Sequence, residues 1–228
     1  MIFGRDGEEL ITGEVPALDR DPPEETKTAT FSLGCFWGPD ATFGSLPGIV
    51  KTRVGYAGGE KRDPSYRSLG GHTETLQVDY DLEKMNYKRL LNIFWDRHDF
   101  TRSKKAQYRS MIFFHGEEQK EIASRSKRKK EKEVRGDVKT VIRGYSEFHM
   151  AEDYHQKYHL TKKKALHDAL RNVYTDIEDF IDSTAVARAN GYVSGHGDIS
   201  SADDLKGLGL NEEGREFLYE IWKKVRGV

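Results

Sequence analysis

Two successive strand, helix, strand patterns, a strict two-residue alternation over 72–80 and a length of 228 residues predict an α+β fold with one core. The order of those patterns is the split β-α-β of a ferredoxin-like two-layer sandwich, in which helices pack on a mixed or antiparallel sheet and helical and loop extensions wrap around it. Charged residues make up 33% of the chain and the mean hydropathy is -0.77, so the core supports much solvated surface. Lys plus Arg (37) balance Asp plus Glu (38), for a formal charge of -1. Nothing in that balance draws the protein toward nucleic acid or an anionic membrane, and a monomer is expected.

Residues 1–27 contain Pro16, Pro22, Pro23 and scattered acids, and read as a leader that is extended or disordered. They lack the apolar run of a signal peptide and are too acidic for a mitochondrial transit peptide. Residues 28–33 mix β-branched and apolar side chains as a buried strand does. Pro39, Asp40 and Ala41 suit the first turn of a helix over 39–46, which Pro47-Gly48 ends. A second strand over 49–56 leads into Gly58-Gly59 and a polar loop through Gly71. In 72–80, Glu74, Leu76, Val78 and Tyr80 share one face, and Thr75, Gln77 and Asp79 the other. Residues 87–96 form a helix whose stripe of Leu90, Leu91, Phe94 and Trp95 belongs to the core. Strand 108–114, polar helix 117–134, strand 138–143 and helix 160–171 complete a domain expected to span 28–199. Residues 200–228 regain amphipathic character through Leu205, Leu208, Leu210, Phe217, Leu218, Ile221 and Trp222, and read as a helical appendage.

The chain has one cysteine, Cys35. That excludes an intrachain disulfide and a multi-cysteine metal site, and fits a reducing, cytoplasmic setting. Cys35 falls in Phe31-Ser32-Leu33-Gly34-Cys35-Phe36-Trp37-Gly38, between the first strand and the first helix. Free N–H groups and the helix dipole at such a junction are expected to stabilise a thiolate. Phe36 and Trp37 would wall the sulfur with apolar surface, suited to a small apolar group beside the reacting atom. A lone cysteine is more often a buried structural thiol; the glycine-flanked, aromatic turn favours a nucleophile. Glu74 sits on the core-facing side of its strand, where burial raises a carboxyl's pKa toward that of a general acid. The alternative for Glu74 is a pairing with an Arg at the sheet edge.

Gly34-Cys35-Phe36-Trp37-Gly38 resembles the signature of the peptide methionine-sulfoxide reductase A family, which reduces the S epimer of methionine sulfoxide. Val54-Gly55-Tyr56-Ala57-Gly58-Gly59, Pro64-Ser65-Tyr66-Arg67, Gly71-His72-Thr73-Glu74, Phe94-Trp95, His98-Asp99, Gln107-Tyr108-Arg109-Ser110 and Ala151-Glu152-Asp153-Tyr154-His155-Gln156 look like further blocks of that family, in its order. The resemblance runs from about residue 28 to 197. It implies that Cys35 attacks the sulfoxide sulfur and becomes a sulfenic acid, that Glu74 is the acid, and that Tyr66 and Tyr108 hold the oxygen. It also implies that Phe36 and Trp37 receive the S-methyl group, with Gly34 and His72 in the substrate site. Such enzymes repair oxidised methionine, free or in proteins, under oxidative stress, and need neither metal nor other bound cofactor.

Two departures stand out. Where the family has an Asp five residues before the tyrosine of Gln-Tyr-Arg-Ser, this chain has Ser103, followed by Lys104 and Lys105. The two lysines are surface residues, or they favour anionic substrates or a more acidic Cys35. Where many members carry a resolving cysteine after Gly-Tyr, this chain has Val193 in Asn190-Gly191-Tyr192-Val193-Ser194-Gly195. An external thiol, thioredoxin or glutathione with a glutaredoxin, is then expected to regenerate Cys35. Other readings are a thiol enzyme on a different sulfoxide or on peroxide, and a non-catalytic binder of oxidised methionine. His155 and His159 are four apart and would suit a metal on one helix face, but no His-Glu-x-x-His accompanies them. The basic run 125–132 is interleaved with glutamates rather than aromatics, the mark of a solvated helix face more than of an RNA site.

Overall fold

The computed structural model describes residues 10–134 and 136–228. A one-turn helix α1 (Ala17–Arg20) leads into strand β1 (Thr26–Leu33), helix α2 (Trp37–Gly44) and strands β2 (Ile49–Ala57) and β3 (Thr73–Asp81). Helix α3 (Tyr87–Asp96), strand β4 (Ser110–Phe114), helix α4 (Glu117–Val134) and the short strands β5 (Val141–Gly144) and β6 (Phe148–Met150) follow. The last third is helical, with α5 (Tyr158–Thr161), α6 (Lys164–Val173), α7 (Ile177–Asp182), α8 (Thr184–Tyr192) and α9 (Glu212–Arg226). None of these helices is long and apolar enough to cross a membrane.

The architecture is mixed α/β around one six-stranded sheet of order β5-β4-β1-β3-β2-β6. β1 pairs antiparallel with both β3 and β4, β2 pairs antiparallel with β3 and β6, and β5 lies parallel to β4. A central strand covered on both faces reads as a continuous buried run rather than an alternating one. That is why β1 is buried without interruption from Ala29 to Leu33. It also corrects the reading of β3: Thr73 and Thr75 are as fully buried as Glu74 and Leu76, and alternation survives only beyond them. Thr75 meets Ser32 across the sheet at 2.7 Å, and Thr73 donates to the Gln107 carbonyl at 2.9 Å, so both buried hydroxyls are satisfied.

α3 occupies the expected residues because Asn86 caps its Arg89 N–H at 3.0 Å and its apolar stripe fills the main core. That core gathers Phe31, Phe43, Val54, Leu76, Val78, Phe94 and Trp95 between the sheet and its helices. The charged helix α4 buries only Gln119 and Ala123 and is laced by pairs such as Arg125–Glu121 at 2.9 Å, so its basic run is a solvated face.

A second cluster joins Leu10, Leu160, Leu170, Val186, Val193, Leu205, Leu218 and Trp222. Within the described part of the leader, Leu10 is fully buried and Ile11 bridges to Leu210, while 12–15 and 24–27 are exposed. Asp19 accepts from Ser183 Oγ at 2.8 Å, Tyr174 OH at 2.5 Å and the Thr184 N–H at 2.6 Å. The rest of the leader expectation, residues 1–9, lies outside the described residues. Residues 200–228 share this cluster with α8, so they are part of the packing rather than appended to it.

α2 and α8 cross closely because Gly44 and Gly191 face the other helix. A Cβ on Gly44 would stand 2.6 Å from the Ala187 carbonyl, and one on Gly191 2.6 Å from the Ala41 carbonyl. Beside this crossing Asp40, fully buried, accepts from Lys157 Nζ at 3.1 Å, from the Lys157 N–H at 3.2 Å, from Thr52 Oγ1 at 2.5 Å and from Asn190 Nδ2 at 3.1 Å. Lys157 is itself fully buried and also donates to the Thr52 carbonyl. Burial pushes its ammonium pKa down, and the Asp40 carboxylate opposes that shift. At φ 50 it is the one non-glycine in the left-handed region among the described residues, a conformation the cluster holds in place. Lys157→Ala strips a buried carboxylate of its counter-charge, and we expect a loss of about 3–5 kcal/mol in denaturant unfolding. A loss below about 1 kcal/mol, the range of exposed pairs, would show that the pair does not brace the fold.

Candidate active site

Gly34 ends β1 at φ +108, a backbone conformation suited to glycine, and the turn that results brings Cys35 to the solvent. α2 begins at Trp37, two residues before the expected Pro39. Two amides at this junction have distinct tasks. The Trp37 N–H bonds the Cys35 sulfur, and the Phe36 N–H donates to Glu74 Oε2 at 3.1 Å. The strand-to-helix turn thus holds the nucleophile and the carboxyl side by side.

Glu74 is 1% exposed. Its other oxygen, Oε1, accepts from Gln107 Nε2 at 2.7 Å. Burial raises its pKa above the ordinary carboxylate value, and the bonds from Gln107 and Phe36 offset this only in part. The acid is therefore biased toward its protonated form, as a proton donor requires.

The thiol corrects an expectation. Burial of part of its surroundings raises the Cys35 pKa above the ordinary thiol value, the Trp37 N–H lowers it, and the Glu74 charge raises it further. Although Cys35 is open to solvent, protein on one side of it desolvates a charged sulfur, and one helix amide does not reverse that. The resting protein keeps a protonated thiol rather than a stabilised thiolate.

Tyr66 and Tyr108 converge on the same place. Tyr108 closes a 3-10 turn, Ala106–Tyr108, and its hydroxyl is hydrogen-bonded to Tyr66. Its pKa is pushed up to about 12 by burial first, then by the charges of Glu74, Tyr66 and Cys35 around it. The Tyr108 phenol stays a neutral hydrogen-bond donor at physiological pH. Tyr66 is 37% exposed, and its N–H donates to Glu152 Oε1 at 3.0 Å. Phe36 is buried, while Trp37 stacks on Tyr158 at 3.7 Å between ring centroids.

Several residues of the site escaped the sequence reading in their roles. His155, 2% exposed, stands among the rings of Phe36, Trp37, Tyr66 and Tyr154 at 4.2–5.8 Å and accepts from Trp37 Nε1 at 3.2 Å. Glu152 accepts from Tyr56 OH at 2.7 Å as well as from Tyr66. Gln107 orients Glu74. Their signal lay in the blocks 107–110 and 151–156, where the residues are recognisable but their partners are not. His155 and His159 fall in different elements, a 3-10 turn and α5, so they do not share the helix face a metal pair would need. His72 is buried and bonds the Lys61 carbonyl at 2.8 Å, so it anchors the loop that carries Tyr66. Ser103 is exposed, and Lys104 beside it reaches back toward Gly34. Val193 is 3% exposed within the second cluster. A cavity of about 440 Å³ between Ala17, Pro47, Arg188 and Leu208 contains none of the site residues, which form a surface mouth instead.

Residues 27–187 match the family described as peptide methionine sulfoxide reductase. The chain is similar to the peptide methionine sulfoxide reductase of Drosophila melanogaster, 38% identical over 196 residues, which cover 84% of this chain and 78% of that one. Among solved structures it resembles Mxr1 of Saccharomyces cerevisiae in reduced form, at 32% identity and TM-score 0.57, over 64% of this chain and 90% of that one. It also resembles methionine sulfoxide reductase A of Corynebacterium diphtheriae, at 28% identity and TM-score 0.55, over 72% and 92% of the two chains.

The raised thiol can be read directly, because iodoacetamide has one cysteine to alkylate. The apparent pKa of alkylation is expected above the ordinary thiol value of about 8.5, and Glu74→Gln, which removes a neighbouring negative charge, is expected to lower it. A midpoint well below that of a free thiol would contradict this account of the resting site.

Proposed function

This chain belongs to the peptide methionine sulfoxide reductase family, and from that premise we propose that it reduces the S epimer of methionine sulfoxide through Cys35, with Glu74, Tyr66 and Tyr108 acting on the sulfoxide oxygen. The observation that carries the reading is the convergence of the Cys35 sulfur, the buried Glu74 carboxyl and the paired Tyr66 and Tyr108 hydroxyls.

The S-methyl group lies against Phe36 and Trp37, and the two phenols donate to the oxygen. A sulfoxide oxygen leaves its sulfur readily only once protonated, which is the task of the neutral Glu74. Glu74 gives its proton to the oxygen and takes the proton of the Cys35 thiol in return. The Cys35 sulfur attacks the sulfoxide sulfur, and the resulting sulfur–sulfur bond is exchanged for a bond from Cys35 to the oxygen as the bond from oxygen to the methionine sulfur breaks. Methionine leaves reduced by two electrons, and Cys35 is left as a sulfenic acid, oxidised by two. One incoming thiol then expels the oxygen as water and forms a mixed disulfide, and a second thiol releases Cys35. The chain holds no second cysteine, so both thiols come from outside, from thioredoxin or from glutathione with a glutaredoxin. Substrates are free methionine sulfoxide and the oxidised residue in proteins, approached through the open mouth at Cys35 in the cytoplasm. At the level of fold, the antiparallel run β4-β1-β3-β2, with α2 joining β1 to β2 and α3 lying between β3 and β4, supports reading the centre of the sheet as a ferredoxin-like unit.

A single turnover tests the scheme. Reduced protein mixed with a peptide carrying S-methionine sulfoxide, with no other thiol, is expected to release about one methionine per chain and to gain one oxygen on Cys35. Glu74→Gln is expected to slow that release by about 10²–10⁴-fold, the usual contribution of a positioned general acid. Release at the parent rate from Glu74→Gln, or any release from Cys35→Ser, would overturn the assignment. Val193→Cys is expected to leave turnover dependent on added thiol, since that position is enclosed in the second cluster; sustained turnover without thiol would refute this.

A further inference from the structure

Lys104 lies in the exposed loop between α3 and β4, yet its ammonium folds back over the turn that presents the nucleophile. A Cβ placed on Gly34 would stand 3.6 Å from Lys104 Nζ. Gly34 immediately precedes Cys35 and has no side chain to separate the two. Neighbouring cations are engaged: Arg102 pairs with Asp99 at 3.9 Å, and Arg109 donates to the Gly71 carbonyl at 2.7 Å. Lys104 has no ion pair among the described residues. Asp99 feels its charge, but that carboxylate is bonded to Thr101 at 2.6 Å and paired with Arg102. Ser103 supplies no negative charge. A positive charge with no ion-pair partner among the described residues therefore stands beside the turn that presents Cys35.

We propose that Lys104 sets the choice of reductant, making the mouth selective for small thiols that carry carboxylates. The inference rests on the sulfenic-acid cycle proposed above and adds to it which thiol closes that cycle. In the first half of the cycle the incoming substrate is a neutral sulfoxide and the product a neutral thioether, so a nearby cation does not select among substrates there by their charge. In the second half both attackers are thiolates. The first forms a sulfur–sulfur bond with Cys35 as the sulfur–oxygen bond breaks, and the oxygen takes protons and leaves as water. The second attacks the mixed disulfide, the reductant departs as its own disulfide, and Cys35 returns as a thiol. A thiolate is drawn toward an ammonium beside its target, and a carboxylate a few atoms from the same sulfur pairs with Lys104 while the sulfur reaches Cys35.

Three small thiols of different charge test this with the full-length protein and a sulfoxide peptide: thioglycolate, 2-mercaptoethanol and cysteamine. Comparing variants cancels the intrinsic nucleophilicity of each thiol. The ratio of kcat/KM for thioglycolate to that for cysteamine is expected to fall about ten-fold in Lys104→Gln at low salt. It should be retained in Lys104→Arg and shrink in the parent protein as salt shortens the screening length below about 8 Å. An unchanged ratio in Lys104→Gln would overturn the proposal. The preference of the resting thiol for iodoacetate over iodoacetamide should fall in the same variant, and that readout needs no sulfenic acid. Failure of methionine release in the single turnover would thus sink the catalytic cycle separately from the charge at Lys104.

Discussion

The Asp40 carboxylate is the point where four separate parts of the chain are tied together. It lies in the first turn of α2, five residues after the nucleophile, and takes donors from β2 through Thr52, from α8 through Asn190 and from the segment before α5 through Lys157. Holding Lys157 in a left-handed conformation turns the chain immediately after His155 and Gln156. Gln156 fastens the same segment to β2, accepting from the Val54 N–H at 3.1 Å and donating to the Val54 carbonyl at 2.8 Å. With the segment pinned at both places, His155 sits beneath Trp37, and Glu152 reaches Tyr56 and the backbone of Tyr66. The aromatic wall and the loop that carries Tyr66 are thus positioned from one bracket, and the bracket depends on a buried charge pair. Such a pair adds little net stability over an apolar replacement but is costly to break singly, which makes the geometry all-or-none.

Proton placement at the site follows from burial opposing hydrogen bonding. Both oxygens of Glu74 accept N–H bonds, an arrangement that favours a carboxylate, and yet enclosure on β3 outweighs them. Cys35 receives one amide bond against desolvation and a neighbouring acid. The two groups are coupled: a protonated Glu74 removes the charge that holds the thiol up, and a thiolate at Cys35 in turn favours protonated Glu74. In the working state, neutral acid and anionic sulfur, each group thus favours the form the other takes. Tyr108 completes the arrangement because its proton stays on through the physiological range.

Much of this was legible in the residues, and the failures have physical causes. α3 and α4 were readable because long periodic or charged stretches state their own secondary structure. Cys35 at the strand-to-helix turn was readable from one motif; the burial of Glu74 matched an alternation that the equally buried Thr73 and Thr75 do not follow. The sign of the thiol's shift was not, since a helix amide is visible in sequence while the desolvation that outweighs it comes from chain brought up by the fold. α7, α8 and β6 were missed because short elements lean on tertiary partners and carry weak patterns of their own. Lys157 in Gln156-Lys157-Tyr158 reads as a surface cation; only a buried Asp40 on another element makes it a strut. The contacts of the leader were not legible for a similar reason, as Leu10 and Asp19 find their partners some 155–200 residues away.

The glycine-rich stretch from Gly191 to Gly197 carries the sharpest version of this lesson. Glycines in such a run suggest a mobile arm, the kind of segment that could carry a second thiol to the first. Here they serve close approach instead. A Cβ on Gly191 would stand 2.5 Å from Ser45 Cβ, one on Gly195 2.7 Å from Val225, and one on Gly197 2.5 Å from the Tyr192 ring. α9 then closes over the stretch, with Trp222 Nε1 bonding the His196 carbonyl at 3.1 Å and Tyr219 OH the Ser200 carbonyl at 2.9 Å. Val193, at the end of α8, is buried where these contacts meet. A resolving thiol needs freedom to travel, and the packing that fixes this tail removes it. The outside reductant proposed for this chain thus has two supports, the missing cysteine and the helices that hold its place still, and a cation beside the turn of Cys35 is where such a reductant would first be felt.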